Sequence, residues 1–516
     1  MTIRFAATPL GALRVGGLEG VVRAQRGRAL PAAAAPALLA TGRAAEGLHA
    51  LRGGSALAVT TGQQAGLFTG PLYAFQKALG TAALAEALTQ RHGTPVVPVF
   101  WVAGDDHDFA EINHCDVLGA DGRLARIVLR ERTADAPMLP AYREAVGAQG
   151  VVALAQLEQA LPPSEFRGET LAWLGRTYRP DHSLAEAFAQ ALAEALGRFG
   201  VVVCRGWDPA IKLAAAPVLL GALRNAASLD RALAAEAQRL RGAGHEAPVA
   251  VGEGMTLVML EGRAGRDRLR IAGDGGFQAR RGGEQLTLAD LERVLATEPG
   301  RLSGNVLLRP AVEAFLLPTV AYLGGPGELA YLAQTGPVFD ALGVPRPASL
   351  PRLSGLLIEA KVDKVLEKHR LTAQDLARPE GDLAAALARE DLPTGAVAAL
   401  EAARGALAER YAALQAEAVA IEKTLEKPVE NARNQALHGL QEIEKKLVAA
   451  LRRQNETALQ QVARAREQLY PAGKPQERVL CVASFLSRHG AAVLDVMYEA
   501  ARAHAHRLLE GASREA

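Results

Sequence analysis

The feature that most narrows the fold is a recurrence. Short apolar, β-branched runs end in glycine or polar residues and alternate with helix-forming stretches. Ala56–Gly62 (ALAVTTG) reads as a buried strand running into a Gly turn. Pro71–Arg91 reads as the helix after it, with Pro71 suited to the first helical position. Val96–Gly104 (VVPVFWVAG) is a second such run. Gly200–Cys204 (GVVVC) is a third, preceded by an amphipathic helix from Ser183 to Phe199. Pro318–Glu328 (PTVAYLGGPGE) is a fourth and leads into a helix over Leu329–Leu342. Unbroken apolar runs separated by helices predict a parallel sheet covered on both faces. In such open α/β sheets ligands bind beyond the carboxyl ends of the strands, and the polar motifs of this chain fall at those ends.

The rest of the chain has two further textures. Residues 125–195, largely helical, and 229–300, with a β-hairpin around MTLVMLEGRAGRDRLRIAGDGG, read as insertions. Leu371–Pro393 is polar and broken by Pro379, Gly381 and Pro393. Heptads follow: Leu400, Leu407, Leu414 and Ile421, with Tyr411, Ala418 and Leu425 four after the last three. Arg404 breaks the first such slot, and Pro428 is expected to interrupt or kink the run. A second register holds Val429, Ala436, Ile443 and Ala450, plus Leu440 and Leu447. Mixed charge around an apolar seam is a coiled-coil pattern. Antiparallel pairing within the chain and dimerisation between chains both satisfy it. The expected division is a core over 1–370 carrying the insertions, a helical coiled coil over 385–470, and a C-terminal segment over 471–516 that packs back on the core.

Composition excludes some functions. The 516 residues carry 58 Lys and Arg against 56 Asp and Glu, a net charge of +2, which leaves no broad basic surface for nucleic acid. Aromatic residues are 4%, too few for an extended base-stacking surface. Cys115, Cys204 and Cys481 form no CxxC pattern and are odd in number, so isolated thiols in a reducing cytoplasm are expected. The Ala-rich Leu30–Ala40 follows Arg23, Arg26 and Arg28 but carries Pro31 and Pro36, and charged residues come after it; it is not read as a signal peptide. Val306–Leu323 contains Arg309, Pro310, Glu313 and Pro318 and is not a membrane helix.

Three constellations can carry chemistry. In TGQQAGLFTGPLYAFQKA (Thr61–Ala78), Gly62, Gly66 and Gly70 permit tight turns between strand and helix. Backbone N–H groups there suit an anion, with Gln63 and Gln64 as amides and Thr61, Thr69 and Lys77 within reach of a phosphate. Neither a Walker loop nor GxGxxG is present. In WVAGDDHDFAEINHC (Trp101–Cys115), Asp105, Asp106, His107 and Asp108 end an apolar strand. A helix from Phe109 would put His107, Glu111 and His114 on one face, giving a His–carboxylate pair for acid–base work. A divalent ion held by Asp105, Asp106 or Asp108 is a second reading, for which magnesium with a nucleotide suits carboxylates and zinc would need His107 plus further ligands; an acidic cluster that caps a helix amino end is the third. In AYLGGPGELAYLAQTGP (Ala321–Pro337), Gly324, Gly325 and Gly327 form a second Gly-rich loop and Glu328 begins a helix; Tyr322, Tyr331 and Gln334 suit a hydroxylated or nucleoside ligand. Asp208 and Lys212 follow the third strand and face the same edge, and a Cys204 nucleophile has no activating neighbour in sequence.

TGQQAGLFTGPLY, PVVPVFWVAGDDHDFAEINH and PTVAYLGGPGELAYLAQ resemble the BshC family, the cysteine-adding enzymes of bacillithiol biosynthesis. The resemblance continues through TLEKPVENA and ETALQQ to QERVL and FLSRHG, so it spans nearly the whole chain. Asp105 departs from it, standing where the family form GEDHD has Glu. The resemblance implies a Rossmann-like core of the nucleotidyltransferase and class I synthetase type, interrupted by connecting-peptide insertions, with a coiled coil that dimerises. It implies addition of cysteine to glucosaminyl malate, with ATP or ADP bound. His107, Asp106 and Glu111 are then the expected catalytic groups, and Asp105 and Asp108 the expected magnesium ligands. Thr61, Gly62, Gln63, Gln64, Gly66, Thr69, Gly70, Lys77, His114, Gly324, Gly325, Gly327 and Glu328 are the expected substrate and nucleotide contacts. A scaffold whose α/β core binds a nucleotide or sugar without turnover is the alternative.

Overall fold

In the computed structural model, a strand over Ile3–Ala7 is followed by β1 (Leu38–Leu39), β2 (Leu57–Gln63) and β3 (Val96–Val102), then a hairpin of β4 (His114–Leu118) and β5 (Leu124–Val128). β6 (Val202–Arg205) follows, then β7 (Met255–Gly262), β8 (Gly265–Ile271), β9 (Phe277–Ala279), β10 (Gln285–Leu286) and β11 (Leu302–Gly304). β12 (Thr319–Gly324) and β13 (Ala348–Pro351) follow, before a last strand over Gly355–Glu359. The structure describes residues 3–10, 17–133, 135–273, 275–384, 393–454 and 456–514. They fall into two units, Ile3–Leu357 with Gln476–Ala516, and Ile358–Pro475.

The first unit is built on a six-stranded sheet of order β13-β12-β2-β3-β6-β1. Its strands are parallel except for β1, which pairs antiparallel at the edge. Successive side chains of β3 point to opposite faces: Val97, Val99 and Trp101 enter one buried cluster, Phe100 and Val102 the other. Both faces are thus covered, which explains the unbroken apolar run in the sequence.

Helix α1 (Tyr73–His92) returns from β2 to β3. Its Pro71 lies before the helix, bridged to Cys481, rather than at the first helical position. The connection from β3 to β6 contains α2 (Phe109–Ile112), the β4–β5 hairpin, and α3 (Leu184–Leu196), capped by the Ser183 side chain. Phe188 of α3 meets Phe100 of β3 at 6.1 Å between ring centroids, so this helix belongs to the core. The Gly-rich insertion is a five-stranded antiparallel sheet, β10-β9-β8-β7-β11, larger than one hairpin and reaching Gly304. α4 (Arg309–Leu316) precedes β12 and α5 (Pro326–Ala333) follows it. The helix expected over Leu329–Leu342 breaks after Ala333 and restarts at Gly336, because Pro337 has no N–H to continue it.

In the second unit, α6 (Thr394–Ile421) and α7 (Glu426–Gln454) form a hairpin, with Arg404 paired to Glu444 across it; α8 (Glu456–Leu469) follows. The first residues of the expected coiled coil, 385–392, lie outside the described residues. The interruption is not at Pro428, which sits in the first turn of α7, where proline is tolerated. It is at Glu422, whose backbone is extended (φ −158°, ψ 126°). In the first unit again, α9 (Ala492–Arg514) packs on α1, with Tyr498 donating to Glu86 at 2.8 Å. The three cysteines are buried and form no disulfide. Two of them are not isolated thiols: Cys481, whose Sγ donates to the Phe68 carbonyl at 2.9 Å, neighbours Cys115, and this neighbour and burial push the Cys115 thiol up. Burial raises the Cys204 thiol, which removes the thiolate a nucleophile needs. No helix among the described residues is long and apolar enough to cross a membrane.

Candidate active site

β3 and β12 flank β2 on opposite sides, so the chain leaves the sheet in opposite directions there and a crevice opens at the carboxyl end of β2. The crevice is a cavity of about 470 Å³. β2 contributes Gly62, Gln63 and Gln64, β3 leads to Asp105 and Asp106, the turn after β12 supplies Gly325, Gly327 and Glu328, and Arg352 follows β13. Gly62 is required by close approach: a Cβ there would lie 2.9 Å from the Trp101 carbonyl oxygen.

Lys77 of α1 is 1% exposed. Its ammonium donates to the Gly62 carbonyl at 2.6 Å and to Gln63 Oε1 at 3.0 Å, and pairs with Glu328 at 2.7 Å. Glu328 also accepts from Tyr322 Oη and from the Gly325 N–H, both at 2.8 Å. Burial alone would raise this carboxyl, but Lys77 and the other donors outweigh it and hold it below the usual carboxylate range. Gln64 Nε2 donates to Asp106 at 2.8 Å and to Glu111 at 2.6 Å, so one amide gathers both carboxylates. Asp105 pairs with the buried Lys212.

Other sequence-predicted residues lie elsewhere. Thr61 is buried and its hydroxyl donates to the Leu323 carbonyl at 2.8 Å, tying β2 to β12. The turn through Gly66, Thr69 and Gly70 packs on Tyr178, whose hydroxyl accepts from the Thr69 N–H at 2.7 Å and donates to the Gly66 carbonyl at 2.9 Å. Its N–H groups are used internally, so it is no anion grip. Gly324 lies under the Glu328 side chain rather than on the cavity wall. The helix expected beyond Phe109 is one turn, and His114 opens β4, because pairing with β5 claims that segment. The shared face of His107, Glu111 and His114 therefore does not form. His114 Nδ1 lies 3.0 Å from Asn113 Oδ1. Asp208 caps a short helix by accepting from the Ala210 N–H, and Gln334 is spent on Val249.

His107 does not pair with a carboxylate side chain either. Its Nδ1 lies 3.4 Å from Arg266 Nη1, and it lines a second cavity of about 620 Å³ that shares Arg266, Asn305 and Val306 with the first. Burial, then the Arg266 charge, holds this imidazole below its ordinary value. The expected magnesium ligands diverge: Asp105 faces Lys212, and Asp108 caps α2 by accepting from the Glu111 N–H. Among the described residues no three His, Cys, Asp or Glu side chains gather for a metal. Asp105 and Asp108 do not fit a resident magnesium ion.

Residues 33–353 match the family described as "Bacillithiol biosynthesis BshC, N-terminal Rossmann-like domain", and residues 355–509 its "C-terminal coiled-coil domain". The chain belongs to the BshC family. It is 32% identical over 463 residues to a Salinibacter ruber protein named "Putative cysteine ligase BshC", covering 88% of this chain and 82% of that protein. Proteins of the same name from Symbiobacterium thermophilum (33% over 457 residues, 84% and 80%) and Koribacter versatilis (32% over 449 residues, 86% and 82%) are similar to it.

The BshC motifs did not reveal the cationic wall of the cavity. Arg309 of α4 pairs with Glu313 at 2.8 Å and lies 5.3 Å over the Tyr322 ring. Arg352 pairs with Glu477 at 2.6 Å. Arg266 reaches in from β8, and Arg478 and Tyr73 complete that side. A lone arginine between apolar residues carries no local signature; only the strand-end position of Arg352 was a usable signal.

Proposed function

We propose that this chain forms the amide bond between the carboxyl of cysteine and the amine of glucosaminyl malate, giving bacillithiol, in the cytoplasm. The family membership and the names of its relatives support the reaction. The observation that carries the reading onto this structure is the cavity itself, where cations from α1, α4, β8 and the end of β13 surround one acidic corner.

A carboxylate and an amine do not condense readily in water, so the acid needs activation. ATP as co-substrate supplies the group that turns a carboxyl oxygen into a leaving group. Lys77, Arg309, Arg352 and Arg478 suit the anionic charges of malate and phosphate, and the aromatic rings of Tyr73, Trp101 and Tyr322 suit the sugar or nucleoside. The Lys77–Glu328 pair fixes the Gly325 turn at the cavity wall. Asp106, held by Gln64 and by the His107 backbone N–H at 2.7 Å, takes the proton from the attacking amine. This role passes to Asp106 because His107 Nδ1 is occupied by Arg266. The helical hairpin joins two copies of the chain.

The test is incubation with ATP, cysteine and glucosaminyl malate, with mass spectrometry of the thiols and separation of AMP from ADP. The expected result is a cysteine adduct with nucleotide consumption. Asp106→Asn should lower kcat by about 10²-fold or more. A folded protein that makes no adduct, or an Asp106→Asn variant with full activity, would remove the respective assignment.

A further inference from the structure

The two cavities share one wall, and the side chain in that wall comes from the inserted sheet. Arg266 lies on β8. Its Nε donates to Ser303 Oγ at 3.0 Å, its Nη2 to the Gly304 carbonyl at 2.8 Å, and its Nη1 faces His107 Nδ1 at 3.4 Å. An arginine only donates, so His107 Nδ1 is the acceptor and the neutral ring carries its proton on Nε2. Both side chains of this unit are therefore committed in orientation. β11 anchors one edge of the guanidinium and the loop after β3 braces the other.

The charge of Arg266 is unlike that of its neighbours. Lys77, Arg309 and Arg352 each face a carboxylate, and Arg478 is exposed. Arg266 has no carboxylate within ion-pair distance among the described residues. A partly buried guanidinium, fixed by neutral acceptors and open to a cavity, is arranged to receive an anion. Its forked donors match phosphate geometry.

We propose that Arg266 is the catalytic residue that binds the phosphate-bearing leaving group of the activated carboxyl at the junction of the two cavities, with His107 as its positioning residue. This rests on the amide-forming reading above. As the amine nitrogen bonds to the carbonyl carbon, the bond from that carbon to the phosphate oxygen breaks. The electron pair leaves on that oxygen, whose charge Arg266 stabilises, and the amine's proton goes to Asp106. The inserted sheet thus supplies part of the active site rather than decorating the core.

The experiment uses the full chain as wild type, Arg266→Met, Arg266→Lys, His107→Asn and His107→Leu, each checked for folding by circular dichroism. Two readouts are taken: kcat and KM for cysteine addition, and calorimetric titration, which needs no turnover, with AMP and with inorganic phosphate, the leaving groups of an acyl adenylate and an acyl phosphate. Arg266→Met should lower kcat about 10²-fold or more with little change in KM for cysteine, as expected when a donor to developing charge is lost. Its affinity for the leaving group, AMP or phosphate, should fall about tenfold, and Arg266→Lys should restore only part of either, because an ammonium lacks the fork. His107→Asn places Oδ1 where Nδ1 stood and should stay within about fivefold of wild type, while His107→Leu should follow Arg266→Met. Wild-type kcat and wild-type affinity for both AMP and phosphate in Arg266→Met would overturn the proposal. A His107→Asn variant as inactive as His107→Leu would overturn the positioning role and return His107 to proton transfer. A wild-type protein that makes no adduct would refute the amide-forming reading alone. The titrations with AMP and phosphate still decide Arg266 in that case: equal affinities in wild type and Arg266→Met for both reject it.

Discussion

The imidazoles of His107 and His114 both sit beside arginines. Burial and then Arg266 lower His107, with Arg281 acting the same way and Asp106 and Asp108 opposing; burial and then Arg126 lower His114, with Asp116 opposing. An unfolded chain takes up these protons near the ordinary value of 6.5, whereas the folded chain takes them up only at lower pH. Across that window the unfolded state binds more protons, so stability falls as pH drops below the ordinary value. The urea midpoint should therefore decrease between about pH 7.5 and about pH 5.5, and the decrease should be smaller in a His107→Asn, His114→Asn double variant. Equal decreases in both proteins would contradict the assignment. The same residues show what local sequence conveys. Gly62–Gln64, Asp105–Asp106 and Gly325–Glu328 reach the cavity as contiguous motifs at strand ends. The partners that decide their chemistry, Arg266 for His107 and Lys212 for Asp105, come from 159 and 107 residues away; Lys212 was legible from its place after the third strand, whereas Arg266 has no signature of its own.

At the scale of elements, strands were legible where both faces are buried, since β2, β3, β6 and β12 must then be apolar without a break. The helix after β3 was not legible, because propensity at Phe109 is overridden by the pairing of β4 with β5. The heptads convey helices but not partners. Within the hairpin the seam buries Ala418 and Val448, yet Leu414 is 53% exposed, Ile421 81% and Ile443 51%. The dimer proposed above would cover these open apolar positions with a second copy of the chain. Leu414→Glu with Ile443→Glu should halve the mass measured by light scattering while the helical circular dichroism signal persists. A wild-type protein already monomeric at the same concentration would refute this interface.

For the whole molecule, the decisive link is one that joins distant parts of the chain. After the second unit the backbone re-enters the first at Gln476, and Leu480 bridges to Asp116 of β4. Glu477 then meets Arg352, 125 residues earlier in the chain, through bonds of 3.1 and 2.6 Å, and both side chains are 3% exposed. Glu477 also accepts from Ser354 Oγ at 2.8 Å and the Gly355 N–H at 3.1 Å, so its oxygens are fully used. A buried pair of this kind adds little over an apolar pair of the same shape, but removing one partner leaves a charge stranded without water. Arg352 also forms part of the cavity wall, so its position couples the stability of the core to the site. Glu477→Ala should cost about 3–5 kcal/mol in urea unfolding of the first unit. It should also weaken substrate binding, since Arg352 loses the partner that holds it at the wall. Replacing both residues together, Arg352→Met with Glu477→Leu, should recover most of the stability but not the activity. A loss below about 0.5 kcal/mol in Glu477→Ala would mean that the returning segment is held by its apolar contacts alone.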